Sequence, residues 1–541
     1  MSENLSFKKT ISQEIEEYLN LVWQQEREKE KTIKEENFLK PEESLGKVAR
    51  FYEKIRNSLE VREEHLLRQY AIARILRREI VLEEKKEDIA KELLLELIRG
   101  GYLSEKEILE SDIPEFEKII KKYSYLIEKI PFLEKKKEFD WWLSLAAAEI
   151  EKKLSRQFYQ REKILVRIIF KRLAEVIDLK EINLEEKQKK GLFYLAILKG
   201  IFKYDSVILR ERLFAFYFPK WEEMDDLSFL ERKNLKEIAF FIEKQIKSPY
   251  LNKILPLVKR YFLLFHLFID SVEEAVLLAE NKEDFLNIFK DEKRMDSLLE
   301  RNYWRRIRKT KEKVKRLIFR SVIFLLLTKT ILAIIFEYPY ETYFLKQKSY
   351  FPLLTNIFFH PLLLILISSS FRFTIKQKNL LLQGEKELLF ETEKEEIIFK
   401  EKVPKIKGAK IEGTLDFLWF ASFFIVFSLI IYLLKILKFN FVSIIFFLLF
   451  LTLVSYLGWR ARNIVKENIT LKEKNGFLGI ILSFFALPII KVGEFLVRKL
   501  PNFNVLVFLM DFIIEVPFKA VIRGLEEWFS FARKKREEIE T

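Results

Sequence analysis

The chain has no cysteine among its 541 residues, which excludes disulfides and every metal site built on thiolates. Its three histidines, His65, His266 and His360, stand far apart, so a histidine metal centre has no basis either. There is no P-loop, no G-x-G-x-x-G turn, no H-E-x-x-H helix and no G-x-S-x-G elbow. With no catalytic motif and no cofactor-binding motif, the sequence predicts neither an enzyme nor a cofactor, and no metal. Glycine and proline are scarce, 13 each against 52 phenylalanines, so helix breakers are rare. No run alternates strictly between apolar and polar residues, no repeat of fixed period appears, and the first residues carry no apolar core of the signal-peptide type. The last absence predicts that the N-terminal half stays in the cytoplasm.

What is present is a segregation. The chain is 49% hydrophobic and 33% charged, a combination that suits a chain whose charge and apolarity lie in different stretches. The dividing stretch is 301–336. Its first half carries Arg301, Arg305, Arg306, Arg308, Lys309, Lys311, Lys313, Lys315 and Arg316; from Leu317 an apolar run continues to Phe336. A basic run followed at once by an apolar helix is how a chain enters a bilayer from the cytoplasmic side. The net charge of +15 would also suit nucleic acid. Because the densest basic cluster abuts an apolar helix, those nine residues are assigned to anionic lipid headgroups instead.

Before this stretch the pattern is helical. A charged helix is expected over 1–36, with Ile11, Ile15, Tyr18, Leu19 and Val22 as its apolar stripe. A helical domain is expected over 45–300. Gly100 and Gly101 stop one of its helices, Phe139 to Leu179 is its longest candidate, and Leu213 to Trp221 is an aromatic core segment. Tyr261 to Ile269 is apolar but bounded by Lys259, Arg260 and Asp270, which predicts a core helix rather than a span.

After it, four apolar runs form two hairpins, 317–371 and 414–460, around an insertion over 372–413. Short strands are expected there near Phe371 to Lys376, Leu388 to Phe390 and Ile397 to Phe399, with helical turns as the alternative for the last two. The basic flanks agree on one orientation, with both termini on the cytoplasmic side of an inner or plasma membrane. Residues 475–530 read as amphipathic helices in the membrane plane, and 531–541 as a charged tail. The fold class is therefore mainly α: a cytoplasmic all-helical domain followed by a helical membrane domain.

The polar candidates inside the apolar runs are Lys329, Asn356 and His360, with Asp511 and Glu515 on the C-terminal helix. A charge at membrane depth costs roughly 2.5–3.5 kcal/mol and tends to be kept for a purpose. Two readings follow: a membrane-anchored scaffold or assembly subunit with a protein partner or self-association, or a small channel or transporter using Lys329, Asp511 and Glu515. On the first, Lys329 snorkels and Lys329→Met is expected to be tolerated.

Overall fold

The computed structural model describes residues 12–31, 38–39, 64–82, 88–104, 107–128, 136–180, 182–221, 235–344, 350–369, 401–402, 409–469 and 477–499. It is 88% helix, and no sheet forms a core among the described residues. The paired strands are two residues each, Ile177–Asp178 running parallel to Glu401–Lys402. The strands expected between Phe371 and Phe399 lie outside the described residues, as do Asp511, Glu515 and the tail.

In chain order the helices are α1 (Gln13–Lys31), α2 (Glu64–Leu82), α3 (Ile89–Arg99), α4 (Ile113–Glu128), α5 (Lys136–Leu154), α6 (Arg156–Val176), α7 (Glu186–Gly200), α8 (Ser206–Tyr217), α9 (Leu235–Ile246), α10 (Pro249–Lys259), α11 (Phe262–Leu278), α12 (Lys282–Lys290), α13 (Glu292–Leu332), α14 (Tyr350–Ser369), α15 (Ala409–Ile436), α16 (Phe441–Ile469) and α17 (Phe477–Lys499). They divide into two compact units. One comprises Met1–Trp23, Ile168–Leu184 and Asn252–Phe503; the other comprises Gln24–Arg167, Glu185–Leu251 and Asn504–Thr541.

In the second unit, α3 ends as its glycines require. Gly101 takes φ 75°, while its N–H reaches the Ile98 carbonyl and that of Tyr102 reaches Leu97, the paired bonds that close a helix on a left-handed residue. The single long helix expected from Phe139 to Leu179 is two helices, α5 and α6, meeting at Ser155. Arg68 of α2 packs at this junction, donating to both Glu151 oxygens at 2.6 and 2.7 Å and to the Ser155 hydroxyl at 2.6 Å, while the Ser155 N–H still reaches the Glu151 carbonyl at 2.9 Å. Trp142, Leu145, Ala146 and Ile150 of α5 face the core as their spacing indicates.

The same core buries charge. Arg212 of α8 grips Glu162 of α6 with two hydrogen bonds of 3.0 and 3.2 Å, and the Tyr204 hydroxyl donates to the same carboxylate at 2.7 Å. Burial works against the Arg212 charge, yet Glu211 and Glu162 hold its guanidinium above its already high range. At this unit's half-buried edge, Glu243 accepts from Arg210 at 2.5 Å, Trp141 at 3.0 Å and Lys247 at 3.1 Å. Burial pushes this carboxyl up, and Arg210, Lys247 and Trp141 together outweigh it, so its pKa lies below the ordinary carboxylate range.

The first unit holds the apolar helices. α14 and α16 are long and apolar enough to cross a membrane over Pro352–Ser369 and Phe441–Val465, and α15 has a shorter apolar stretch, Phe420–Ile436. α11 is a core helix, as its flanking charges indicate, with Phe262, Leu263, Phe265, Leu267 and Phe268 buried. Along α1, Ile15, Tyr18, Leu19 and Val22 are buried, and the Tyr18 ring lies 5.9 Å from that of Phe268. The longest helix among the described residues is α13, 41 residues or ~62 Å, and it carries the basic half of 301–336 and most of the apolar half, whose last four residues follow in a π-helical turn. α17 passes through Pro488 and lies against α16 so closely that a Cβ on Gly493 would meet the Thr452 carbonyl oxygen at 2.1 Å. Close approach here uses a lone glycine and no G-x-x-x-G pair.

Two expected outcomes follow from the buried charges. Glu162→Gln leaves Arg212 with one counter-charge fewer, and should lower unfolding stability by about 3–5 kcal/mol in a urea titration. Glu243, whose folded pKa is lowered, contributes stability that is present above its unfolded pKa and is lost as pH falls through its folded value. Glu243→Gln should therefore flatten the acid side of a plot of melting temperature against pH.

Candidate functional site

The site is a polar cluster inside the apolar helices, and its centre is Lys329 of α13. Sequence alone leaves this lysine a choice between a partner and the membrane edge. It is 3% exposed, so it does not snorkel. Its ammonium donates to the Asn356 carbonyl, to the Asn356 side-chain oxygen at 2.5 Å, and to His360 Nδ1 at 2.9 Å. Three N–H bonds meet three acceptors, which is all an ammonium has to give.

The histidine's tautomer follows from its other nitrogen. His360 Nε2 lies 3.0 Å from the Phe447 carbonyl oxygen of α16, which can only accept. Nε2 therefore carries the hydrogen, and Nδ1 presents a lone pair to Lys329. The ring is fully buried, with the rings of Phe359 and Phe447 at 5.3 and 4.7 Å. Pro361, next in sequence, cannot donate to the Ile357 carbonyl, and its ring presses against it. The carbonyl that Lys329 reaches is Asn356's, one residue earlier.

Asn356 is the bridge. Its amide donates to Glu337 Oε1 at 2.6 Å and to the Ser443 carbonyl at 3.4 Å, while the Ser443 hydroxyl donates to Glu337 Oε2 at 3.1 Å. A cation on α13 and a carboxylate two turns further along are thus joined through one amide on α14, and a hydroxyl on α16 holds the other carboxylate oxygen. Glu337 reaches this face because of the backbone. In an α-helix it would lie about 80° round from Lys329. After α13 the chain winds as a π-helix over Ala333–Glu337 and again over Tyr340–Phe344. The wider turn takes more residues per revolution and carries Glu337 back towards Lys329's side. Pro339, between the two π segments, lacks an N–H and so interrupts the ordinary helical ladder.

One turn beyond, Glu341 accepts from Asn440 at 2.8 Å. Asn440 also caps α16, its side-chain oxygen accepting from the Ser443 N–H at 2.8 Å. The turn before it is closed by Lys438 at φ 58°, with the Phe439 N–H on the Leu434 carbonyl at 3.0 Å. Lys329, Glu337, Asn356, Ile357, Phe446 and Phe450 enclose a gap too narrow for a water molecule. The Lys329 ammonium lies 4.8 Å from the centre of the Phe450 ring, a favourable cation–aromatic contact.

Lys329, Asn356 and His360 are thus brought together, whereas Asp511 and Glu515, named as possible partners for Lys329, lie outside the described residues. The partner found is Glu337. It stands one residue past the apolar run ending at Phe336 and so reads as the edge of a span; Glu341, Ser443 and Asn440 are likewise silent in the sequence. The available clue was a second charge two turns after Lys329, ahead of Pro339.

The expected headgroup contacts divide. Arg301 and Arg305 both reach Glu274 of α11, at 2.6 and 2.8 Å, and Arg306 pairs with Asp270 of the same helix. These three fasten α13 to α11. Arg308, Lys309, Lys311, Lys313, Lys315 and Arg316 are exposed.

Fold and site together define a mainly helical protein whose apolar helices are cross-tied by a buried lysine–amide–carboxylate cluster. No family model, no curated protein and no solved structure matches the chain.

With Lys329 bonded three times, the tolerance expected of Lys329→Met is revised. The substitution strands the Asn356 oxygen, His360 Nδ1 and the Glu337 charge, and should cost about 2 kcal/mol at ~0.6 kcal/mol per interhelical bond. Adding Glu337→Gln should restore much of the loss, since the remaining cluster is then neutral. Thermal unfolding of the full chain in detergent for the wild type, both single variants and the double variant measures this coupling.

Proposed function

We propose that the protein is a multi-pass membrane scaffold or assembly subunit, with a helical cytoplasmic portion held to four membrane-crossing segments. The two long apolar helices and the apolar stretch of α15 support the membrane setting. Depth along α13 supports it further. Arg320 is the last charge before the apolar run. At ~1.5 Å per residue Lys329 lies ~14 Å beyond it, near the middle of a ~30 Å hydrocarbon layer, and Glu341 lies ~31 Å beyond, at the far boundary. Tyr338, Tyr340 and Tyr343 fall at that same far boundary, where aromatic side chains gather. The basic flanks favour an orientation with both termini in the cytoplasm.

The observation that carries the scaffold reading is the closure of the Lys329 cluster. Each ammonium hydrogen is spent on α14, the carboxylate is held by two helices, and the gap among them excludes water. Such a cluster ties helices together, as interhelical polar groups do in hydrocarbon. A conducting path needs hydrated or exchangeable sites. The second reading, an ion or proton path, draws support from the succession of Lys329, Glu337 and Glu341 at increasing depth.

The absence of native cysteine makes topology directly measurable. Tyr343→Cys, at a position 77% exposed, should react with an impermeant maleimide from outside intact cells, and Arg308→Cys only after lysis. Reaction of Tyr343→Cys only from the cytoplasmic side would contradict the orientation. Vesicles carrying the purified full chain should show no ion flux; a flux removed by Lys329→Met would replace the scaffold with the path.

A further inference from the structure

The basic half of α13 has two faces. Tyr303, Ile307, Thr310 and Val314 are buried and form the packed stripe. Lys309, Lys313, Arg316 and Arg320 recur at four-, three- and four-residue steps, and all are exposed. At ~100° per residue they span about 60° of the helix circumference, centred roughly 120° from the packed stripe. Among the described residues none of the four makes an ion pair, in contrast to Arg301, Arg305 and Arg306, which α11 engages. Further along, the same face carries Ile323 and Ile334, 43% and 62% exposed. One helix face thus passes from exposed cations to exposed aliphatics, with Glu312 as the acidic residue beside it, three residues after Lys309 and four before Arg316.

We propose that this face is an anionic-phospholipid site in which Arg316 and Arg320 hold the headgroup phosphates and the aliphatic continuation lies along an acyl chain. Arg320 falls outside the basic run that the sequence marks out, and Arg301, Arg305 and Arg306 fall outside the site. The ranking comes from depth. A headgroup layer is ~5–8 Å thick on each side of the hydrocarbon. With Arg320 at the hydrocarbon edge, Arg316 stands ~6 Å above it and inside the layer, Lys313 ~10 Å above, and Lys309 ~16 Å above. Lys309 is then about a screening length, ~8 Å at physiological salt, beyond the headgroups. Arginine also suits the task, because its planar fork meets phosphate oxygens two at a time.

The proposal rests on the membrane reading. Full-length protein in a mild non-ionic detergent is titrated at physiological salt with phosphatidylglycerol or phosphatidylcholine, and retained lipid is counted by native mass spectrometry. The wild type should prefer phosphatidylglycerol. The pair Arg316→Gln and Arg320→Gln should weaken that preference roughly thirtyfold, from about 1 kcal/mol for each basic residue. The pair Lys309→Gln and Lys313→Gln should weaken it less than about threefold. Arg305→Gln should lower the melting temperature and leave the preference intact. Equal losses from the two pairs, an unchanged preference in the arginine pair, or displacement of phosphatidylglycerol by a short RNA would overturn the proposal. Recovery of the protein from cells without detergent would overturn the membrane reading itself, whereas detergent-dependent extraction with equal retention of both lipids would sink the lipid site alone. Should the arginine pair fail to fold, Arg316→Lys with Arg320→Lys keeps the charge and removes the fork; it should retain the preference at reduced strength, and full loss would count against charge as the cause.

Discussion

A lysine in the middle of an apolar helix has to find its hydrogen-bond acceptors inside the protein, and much of the first unit's arrangement follows from where it finds them. The acceptors of Lys329 lie on α14, within one turn of each other at Asn356 and His360. That places α14 against α13 in one register only, since a shift of one residue rotates both acceptors away. Asn356 and His360 then reach on to Ser443 and Phe447 of α16, one turn apart in turn. Two polar positions on each of two helices, spaced by four residues, act as a key. Apolar contacts such as those of Leu325, Leu364, Phe450 and Val454 fill the space around it and would tolerate several registers.

The charge balance is met at one remove. Lys329 and Glu337 are joined by an amide that accepts from the one and donates to the other. An asparagine can do this because its side chain has an acceptor and two donors on one plane. The arrangement needs Glu337 on the lysine's side of the chain, and that is supplied by the π-helical winding that Pro339 favours. A local backbone irregularity and a tertiary ion tie are here one feature.

At its other end α13 is fastened by charge as well. Arg301, Arg305 and Arg306 meet Asp270 and Glu274, so one continuous helix is pinned by ion pairs in its first half and by the lysine cluster near its end. Between the pins, Arg308, Lys309, Lys311, Lys313, Lys315, Arg316 and Arg320 remain exposed. The residues that look alike in the sequence, nine basic side chains in a row, therefore do two different things, and only the neighbour on α11 separates them.

The helical class, the apolar segments and their ends could be read from the chain, because periodicity, glycine stops and the spacing of charged and apolar stretches are local properties. α14 begins and ends close to the run that marks it, whereas α16 continues to Ile469, nine residues past the expected 460, and the glycines at 100 and 101 close α3 by local backbone geometry. Lys329, Asn356 and His360 stood out as polar groups in apolar company. Their assembly could not be read, because it depends on which faces of three helices meet. Ser443 and Asn440 look like ordinary helix-start residues, and Glu337 looks like the edge of a span until the π turns bring it back. Likewise nothing local marks Glu151 and Ser155 as the partners of Arg68, which comes from a helix more than eighty residues earlier. Local composition determined what kind of helices form and where they stop. Only tertiary packing decided which charges are spent inside and which remain outside, since a charge's partner is chosen by distance in space and leaves no trace in the order of the chain.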